Sequence, residues 1–222
     1  MLELGLKMLA SYLLGAINGS LFIGRLRGGI DIRRMGSGNA GATNALRTQG
    51  IGFALPAIAI DFFKGLIPVA WFPMLILPGV GLDPAVDREW LAVACGAAAV
   101  VGHCYPLWYG FAGGKGAATM AGVLFAFAPN LLLVVVSVWL AVLVLTGYVG
   151  LATIVAGVSL PVSMAFTGDA GFSNPYFILG VAAAAFILFT HRTNIVRMYD
   201  GTERPVGRLP FLRNRRHEND RR

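Results

Sequence analysis

The stretch Ala117–Thr167, AATMAGVLFAFAPNLLLVVVSVWLAVLVLTGYVGLATIVAGVSLPVSMAFT, runs for 51 residues without a single Asp, Glu, Lys or Arg. A surface of that composition does not stay in water, so the stretch belongs in lipid. A membrane-crossing helix needs about 20 residues, with a lower limit near 17. One crossing therefore leaves far too much apolar chain, and three just fit. The breaks fall where the helix breakers are, at Pro129-Asn130 and at Thr146-Gly147-Tyr148. That predicts spans over 117–130, 131–147 and 148–166.

The rest of the chain agrees. Its 222 residues are 56% hydrophobic and only 13% charged, with a mean hydropathy of +0.69; an ordinary soluble domain is roughly 25% charged. Four more apolar runs, 4–24, 52–77, 90–108 and 175–191, complete an all-α integral membrane protein of seven transmembrane helices. The first run begins with Glu3 and Lys7 instead of a basic segment, offers no A-x-A cleavage site and is followed by arginines. It reads as a retained span, not a signal peptide.

Orientation follows from the cations. Fifteen of the 18 Lys and Arg residues fall between Arg25 and Arg47, at Lys115, or from Arg192 onward. By the positive-inside rule these three regions face the cytoplasm. Pro78–Glu89 and Gly168–Asn174 are acidic or neutral and face outside. The N-terminus is then outside and the C-terminus cytoplasmic. Residues 1–208 are expected to form a single transmembrane domain, followed by a flexible basic tail over 209–222. The pI near 9.9 reflects this bias and contact with anionic membrane lipid, and calls for no nucleic acid. Cys95 and Cys104 lie nine residues apart on one expected helix, about 13 Å, too far for a disulfide.

Three polar islands interrupt the apolar sequence, all on the expected cytoplasmic side. The first, Met35–Arg47 (MGSGNAGATNALR), contains a literal G-x-G-x-x-G at Gly36, Gly38 and Gly41. No buried strand precedes it, so it is not a dinucleotide loop. Its glycines still permit positive φ and close backbone approach, a helix starting near Ala42 brings an anion-binding N-terminus, and Arg47 supplies a planar cationic fork. Ser37, Thr43 and Asn44 add short hydrogen-bonding side chains. The competing reading is an interfacial turn whose arginine reaches lipid phosphates.

The second island, Gly102–Gly116 (GHCYPLWYGFAGGKG), resembles a P-loop and fails its test. Gly110 and Gly114 leave three intervening residues instead of four, and Lys115 is followed by Gly116 instead of the Ser or Thr that would hold Mg²⁺. What survives is Gly113-Gly114-Lys115-Gly116, whose backbone N–H groups and point charge suit a phosphate, or else a basic loop obeying the positive-inside rule. The third island runs from His191 through Asn194 and Arg197 to Glu203 and Gly207. His191 is its acid–base group, and Asn194 at i+3 shares its face. His103, with Pro106 close behind, takes a structural reading. Asp61 and Lys64, at i and i+3 inside the second span, form a buried ion pair lining the cytoplasmic cavity, since unpaired charges there cost several kcal/mol.

Several chemistries are missing their residues. An H-x₄-D pattern would need Asp where Trp108, Val196 and Arg222 stand. Ser37 lies in Gly-Ser-Gly, not in a G-x-S-x-G elbow. No carboxylate cluster for Mg²⁺ occurs on the cytoplasmic side, so no metal and no cofactor is expected.

Together, Gly36-Ser-Gly-Asn-x-Gly-Ala-Thr-Asn…Arg47, Gly102-His…Pro106…Trp-Tyr-Gly-Phe-x-Gly-Gly-Lys-Gly116 and His191-x-x-Asn194-Ile…Gly201-x-Glu203 resemble the three motifs of the bacterial acyl-phosphate:glycerol-3-phosphate acyltransferases, the PlsY family. The order and spacing agree over essentially the whole chain. Ala40 replaces that family's Pro, and Ala112 replaces a residue that is often basic. The resemblance implies transfer of a fatty acyl group from acyl phosphate to the sn-1 hydroxyl of glycerol 3-phosphate, giving 1-acyl-glycerol 3-phosphate and phosphate, the first step of phospholipid synthesis. It also implies the bacterial inner membrane, with the enzyme that makes acyl phosphate as a partner. Ser37, Arg47, His191 and Asn194 would serve catalysis. Gly36, Gly38, Asn39, Gly41, Thr43 and Asn44, with Gly113, Gly114, Lys115 and Gly116, would bind substrate, and Glu203, Asp61 and Lys64 would support structure. An acyl phosphate is a mixed anhydride with a good leaving group, so neither metal nor coenzyme A is required. Three routes are open for the attacking hydroxyl: His191 takes its proton as general base, Ser37 is acylated first, or the donor's own phosphate takes the proton. The alternative is a transporter or exchanger of organic phosphates, which would want a site near mid-membrane and often repeat symmetry; these polar residues cluster at one interface.

Overall fold

The computed structural model describes residues 1–206 apart from 169, 170 and 172, so Asp169 and the basic tail over 209–222 lie outside the described residues. Ten α-helices follow in chain order: α1 Leu2–Gly15, α2 Gly19–Leu26, α3 Ala42–Gln49, α4 Ile51–Trp71, α5 Arg88–Cys104, α6 Ala117–Phe127, α7 Pro129–Thr146, α8 Val149–Thr167, α9 Pro175–Thr190 and α10 Arg192–Tyr199. Among the described residues extended pairing is limited to one isolated bridge between Leu77 and Gly81.

Each of the seven apolar runs is helical, and both expected breaks in the long run are present. Pro129 begins α7 immediately after Ala128, and Gly147 ends it in the left-handed conformation at φ +75°. Among the described residues four helices are long and apolar enough to cross a membrane, and up to six spans result if α1 with α2 (bent by 51°) and α9 with α10 (bent by 52°) each count as one. The expected span over 117–130 is the short one. Helix α6 has 11 residues, about 16 Å of rise, half of a hydrocarbon core of about 30 Å.

The first apolar run, expected to be one helix over 4–24, is broken at Ala16-Ile17-Asn18. Its cause lies on α4. Asp61 Oδ1 accepts from the Gly19 amide at 2.9 Å, and Lys64 Nζ donates to the Ile17 carbonyl at 2.9 Å while pairing with Asp61 at 2.8 Å. The ion pair thus partners the backbone groups that a break in a membrane helix exposes, which otherwise cost several kcal/mol each in lipid. Asn18 caps α2 by accepting from the Leu21 amide at 3.1 Å.

Small residues bring the spans together. A Cβ on Gly65 of α4 would strike the Thr119 carbonyl of α6, and one on Gly122 of α6 would strike the Phe62 carbonyl of α4. That is the close approach small residues give membrane helices. At the end away from the three islands, buried Glu3 holds Lys7 at 2.6 Å and Arg88 at 2.5 Å and accepts from the Asp83 amide at 2.7 Å, fastening α1 to the start of α5. Helix α7 has no buried residue and lies at the periphery.

Candidate active site

The first island is a loop wound around one buried side chain. Gly36 and Gly38 adopt φ of +58° and +75°, which a side chain would oppose. Asn44 sits inside the turn, its Oδ1 accepting from the Ser37 amide at 2.9 Å and its Nδ2 donating to the carbonyls of Ile32 (2.9 Å), Met35 (3.0 Å) and Asn39 (3.0 Å). The expectation that Asn44 faces a ligand is corrected by this geometry: its polar atoms hold the loop. Asn39, Gly41 and Thr43 line the main cavity beside the N-terminus of α3, while Gly36, Ser37, Gly38 and Arg47 are not among its lining residues. Ser37 is exposed.

Asn44→Ala should therefore destabilise the protein by about 1–3 kcal/mol, the cost of leaving buried backbone partners unsatisfied. Thermal unfolding of the purified variant checks this, and an unchanged Tm contradicts it.

The second island folds back on the end of α5. The amides of Gly113 and Gly114 donate to the carbonyls of Cys104 (3.1 Å) and His103 (3.2 Å). Those two N–H groups are thus occupied, contrary to the expectation that they lie bare for a ligand. A Cβ on Gly113 would strike the His103 carbonyl, and one on Gly114 its imidazole, so these glycines are needed for packing. The free amides are instead those opening α6, since the first turn of a helix has unsatisfied N–H groups. Gly116, Ala117 and Ala118 line the cavity there, with Lys115 beside them. Two helix N-termini, those of α3 and α6, open into one recess.

The third island meets the second through Lys115. Its Nζ donates to Asn194 Oδ1, and Asn194 Nδ2 donates to Glu203 Oε1 at 2.8 Å. Glu203 Oε2 accepts from Arg197 Nε at 2.7 Å. Asn194 is buried and packs against Gly150, where a Cβ would meet its side chain. Burial, and then the nearby charge of Arg197, push the Lys115 ammonium down to about 8. Arg47 Nη2 donates to the Arg204 carbonyl at 2.7 Å, tying the first island to the third. His191 is buried and its Nδ1 lies 2.9 Å from the Ile187 carbonyl, which fixes the proton on Nδ1 and leaves the lone pair on Nε2.

Below this polar mouth a cavity of about 420 Å³ extends along α6, α7 and α8 past Leu132, Val135, Trp139, Leu143, Ala156 and Leu160. Asp61 and His103 line its polar end, and His103 Nδ1 is 3.3 Å from Asp61 Oδ1. Lys64 is turned away toward Ile17, so of the expected ion pair only Asp61 reaches the cavity. The structure also adds Arg33, which sequence reasoning passed over. Its guanidinium pairs with Asp31 at 2.8 Å and donates to the carbonyls of Tyr109 (2.8 Å) and Ala112 (3.2 Å), clamping the first island to the second. An Asp two residues before an Arg was the available signal. Among the described residues no group of three or more His, Cys, Asp and Glu is placed to hold a metal ion.

Residues 6–201 match the family described as glycerol-3-phosphate acyltransferase. The glycerol-3-phosphate acyltransferase of Synechococcus sp. (strain JA-2-3B'a(2-13)) is 39% identical over 207 residues, covering 93% of this chain and 96% of its own. That of Aquifex aeolicus (strain VF5) is 37% identical over 193 residues, covering 87% and 94%. A crystal structure of PlsY, an integral membrane glycerol 3-phosphate acyltransferase, in its glycerol 3-phosphate form superposes with a TM-score of 0.79 at 33% identity over 95% of this chain and 99% of that one. Its lysophosphatidic acid form gives a TM-score of 0.77 at 32% identity, over 92% and 95%. Sequence and fold agree over most of the chain, and the chain belongs to the glycerol-3-phosphate acyltransferase family of integral membrane proteins.

Proposed function

We propose that this protein transfers a fatty acyl group from acyl phosphate to the sn-1 hydroxyl of glycerol 3-phosphate, releasing 1-acyl-glycerol 3-phosphate and phosphate. The observation that carries the reading is the single cavity with an anion-binding mouth and an apolar body: Lys115 and the N-termini of α3 and α6 at one end, Leu, Val and Trp side chains along the rest. Helix N-termini and a cation suit phosphate, and both substrates bear one. The apolar body suits the donor's chain, which passes from one apolar surrounding, the lipid, into another.

In the reaction the glycerol hydroxyl oxygen attacks the acyl carbonyl carbon, the bond from that carbon to the phosphate oxygen breaks, and phosphate departs with the proton. A general base works best with a pKa near the operating pH. His191, buried, bound through Nδ1 to the Ile187 carbonyl and not among the cavity-lining residues, is not placed to act as one. The departing phosphate gains basicity as its bond to the acyl carbon breaks, so it is the better acceptor of the proton, and His191 serves to position the third island behind Lys115. By the family resemblance, Ser37 from the loop and Arg47 from α3 act on the reacting groups, although neither is among the cavity-lining residues. Product analysis tests the donor and the regiochemistry: palmitoyl phosphate with glycerol 3-phosphate should give the 1-acyl product, and palmitoyl-coenzyme A should not replace it. A 2-acyl product, or equal rates with the thioester, sinks the reading.

The reaction should proceed at full rate in excess EDTA, because the residues at the site offer no Mg²⁺ or Zn²⁺ ligand set. Loss of rate restored specifically by Mg²⁺ contradicts this.

In this reading the protein is a single catalytic domain over 1–208 that crosses the bacterial inner membrane seven times, with the site open to the cytoplasm. This reading requires short α6 to start below the membrane surface, at the floor of the polar recess. Reporter fusions truncated after Pro129 should report outside, and after Gly147 inside. The same side at both points removes α6 or α7 as a crossing.

A further inference from the structure

A second apolar cavity, of about 220 Å³, adjoins the first at the end away from Lys115, and the two share Met120, Leu124, Leu160 and Ala183. Along α8 the first cavity extends from Val149 to Leu160, about 16 Å of helix. The second continues beyond, past Phe127 and Gly180. Of the four shared residues, Leu124, Leu160 and Ala183 are buried, and Leu124 and Leu160 pack in one cluster with Met164. Met120, unbranched and with several rotatable bonds, is suited to swing aside for an incoming chain. Gly180 leaves room on the far side: a Cβ there would meet Leu160 and Met164 only at ordinary contact distances of 3.5 and 3.4 Å.

We infer that Met120, Leu124, Leu160 and Ala183 form a wall that grades the length of the donor's acyl chain, with the second cavity receiving the methyl end of chains that outgrow the first. This rests on the first cavity holding the acyl chain. The wall lies beyond the polar mouth, so it discriminates among donors without touching the groups that bind phosphate. Each methylene passed across it gains about fourfold, at roughly 0.8 kcal/mol per buried CH₂, and each one that meets a closed wall loses the same.

The experiment measures kcat/KM of the purified full-length protein in detergent micelles with dodecanoyl, tetradecanoyl, palmitoyl and stearoyl phosphate. Leu160→Ala should raise the stearoyl-to-dodecanoyl ratio by about four- to fifteenfold, one or two methylenes' worth. Ala183→Leu should lower it by at least about fifteenfold, as two or more methylenes are shut out. Gly180→Leu fills the second cavity alone and should depress stearoyl phosphate while leaving dodecanoyl phosphate unchanged; it also serves if Ala183→Leu does not fold. Active variants whose ratio stays at the wild-type value overturn the wall while leaving the donor assignment intact. A wild-type protein that turns over none of the four donors overturns both.

Discussion

Replacing Ser37 by Ala should cut turnover at saturating substrate by about 10²- to 10³-fold, the usual effect of losing one transition-state hydrogen bond, while leaving the protein folded. The folding half of this expectation comes from the loop. Ser37 is exposed, its backbone amide is held by Asn44, and its left-handed neighbours Gly36 and Gly38 set the turn. Removing the hydroxyl costs the loop nothing it uses. The catalytic half comes from position, since Asn39 and Gly41, a few residues on, line the cavity where the donor's phosphate would lie. The measurement is kcat with both substrates saturating, alongside a melting curve. Normal turnover with an altered Tm would show that Gly36-Ser37-Gly38 is only a turn.

Lys115→Ala should act on binding instead, raising the apparent KM for glycerol 3-phosphate by about 10- to 100-fold, as the loss of a charged hydrogen bond worth roughly 1.5–3 kcal/mol would. Turnover should change much less, because ground-state and transition-state binding fall together. The pH dependence follows from the ammonium's pKa of about 8. Burial lowers it, so the charged, phosphate-binding form dominates below pH 8 and is lost above it. KM should therefore climb as pH rises through about 8, whereas the guanidinium of Lys115→Arg, charged throughout this range, should flatten that rise. A flat profile in the parent protein would remove Lys115 from the acceptor site.

The apolar pattern made the helical membrane fold legible, because 51 uncharged residues admit few arrangements and Pro129 and Gly147 mark the joints. The kink after Gly15 was not legible. No proline announces it, and its cause, the Asp61–Lys64 pair, sits more than 40 residues away on another helix. The charged pair itself was readable as buried, but not that it satisfies a broken backbone. At the site, Lys115, Asn194 and Glu203 were recognisable as residues of one function, and the structure joins them in a hydrogen-bonded chain. The glycines misled for a physical reason: close approach to a ligand and close approach to the protein's own backbone demand the same residue, and Gly113 and Gly114 serve the second need against His103. Asn44 misled likewise, since a side chain that binds a ligand and one that binds its own loop look alike in sequence.

The central claim, one cavity that brings acyl phosphate and glycerol 3-phosphate together, is tested most directly by phosphate release from the purified protein in micelles. Palmitoyl phosphate alone should give only background release. Adding glycerol 3-phosphate should start rapid release, with one acylated glycerol phosphate formed per phosphate set free. Release that is equally fast without glycerol 3-phosphate, or no release with both substrates present, would contradict the account.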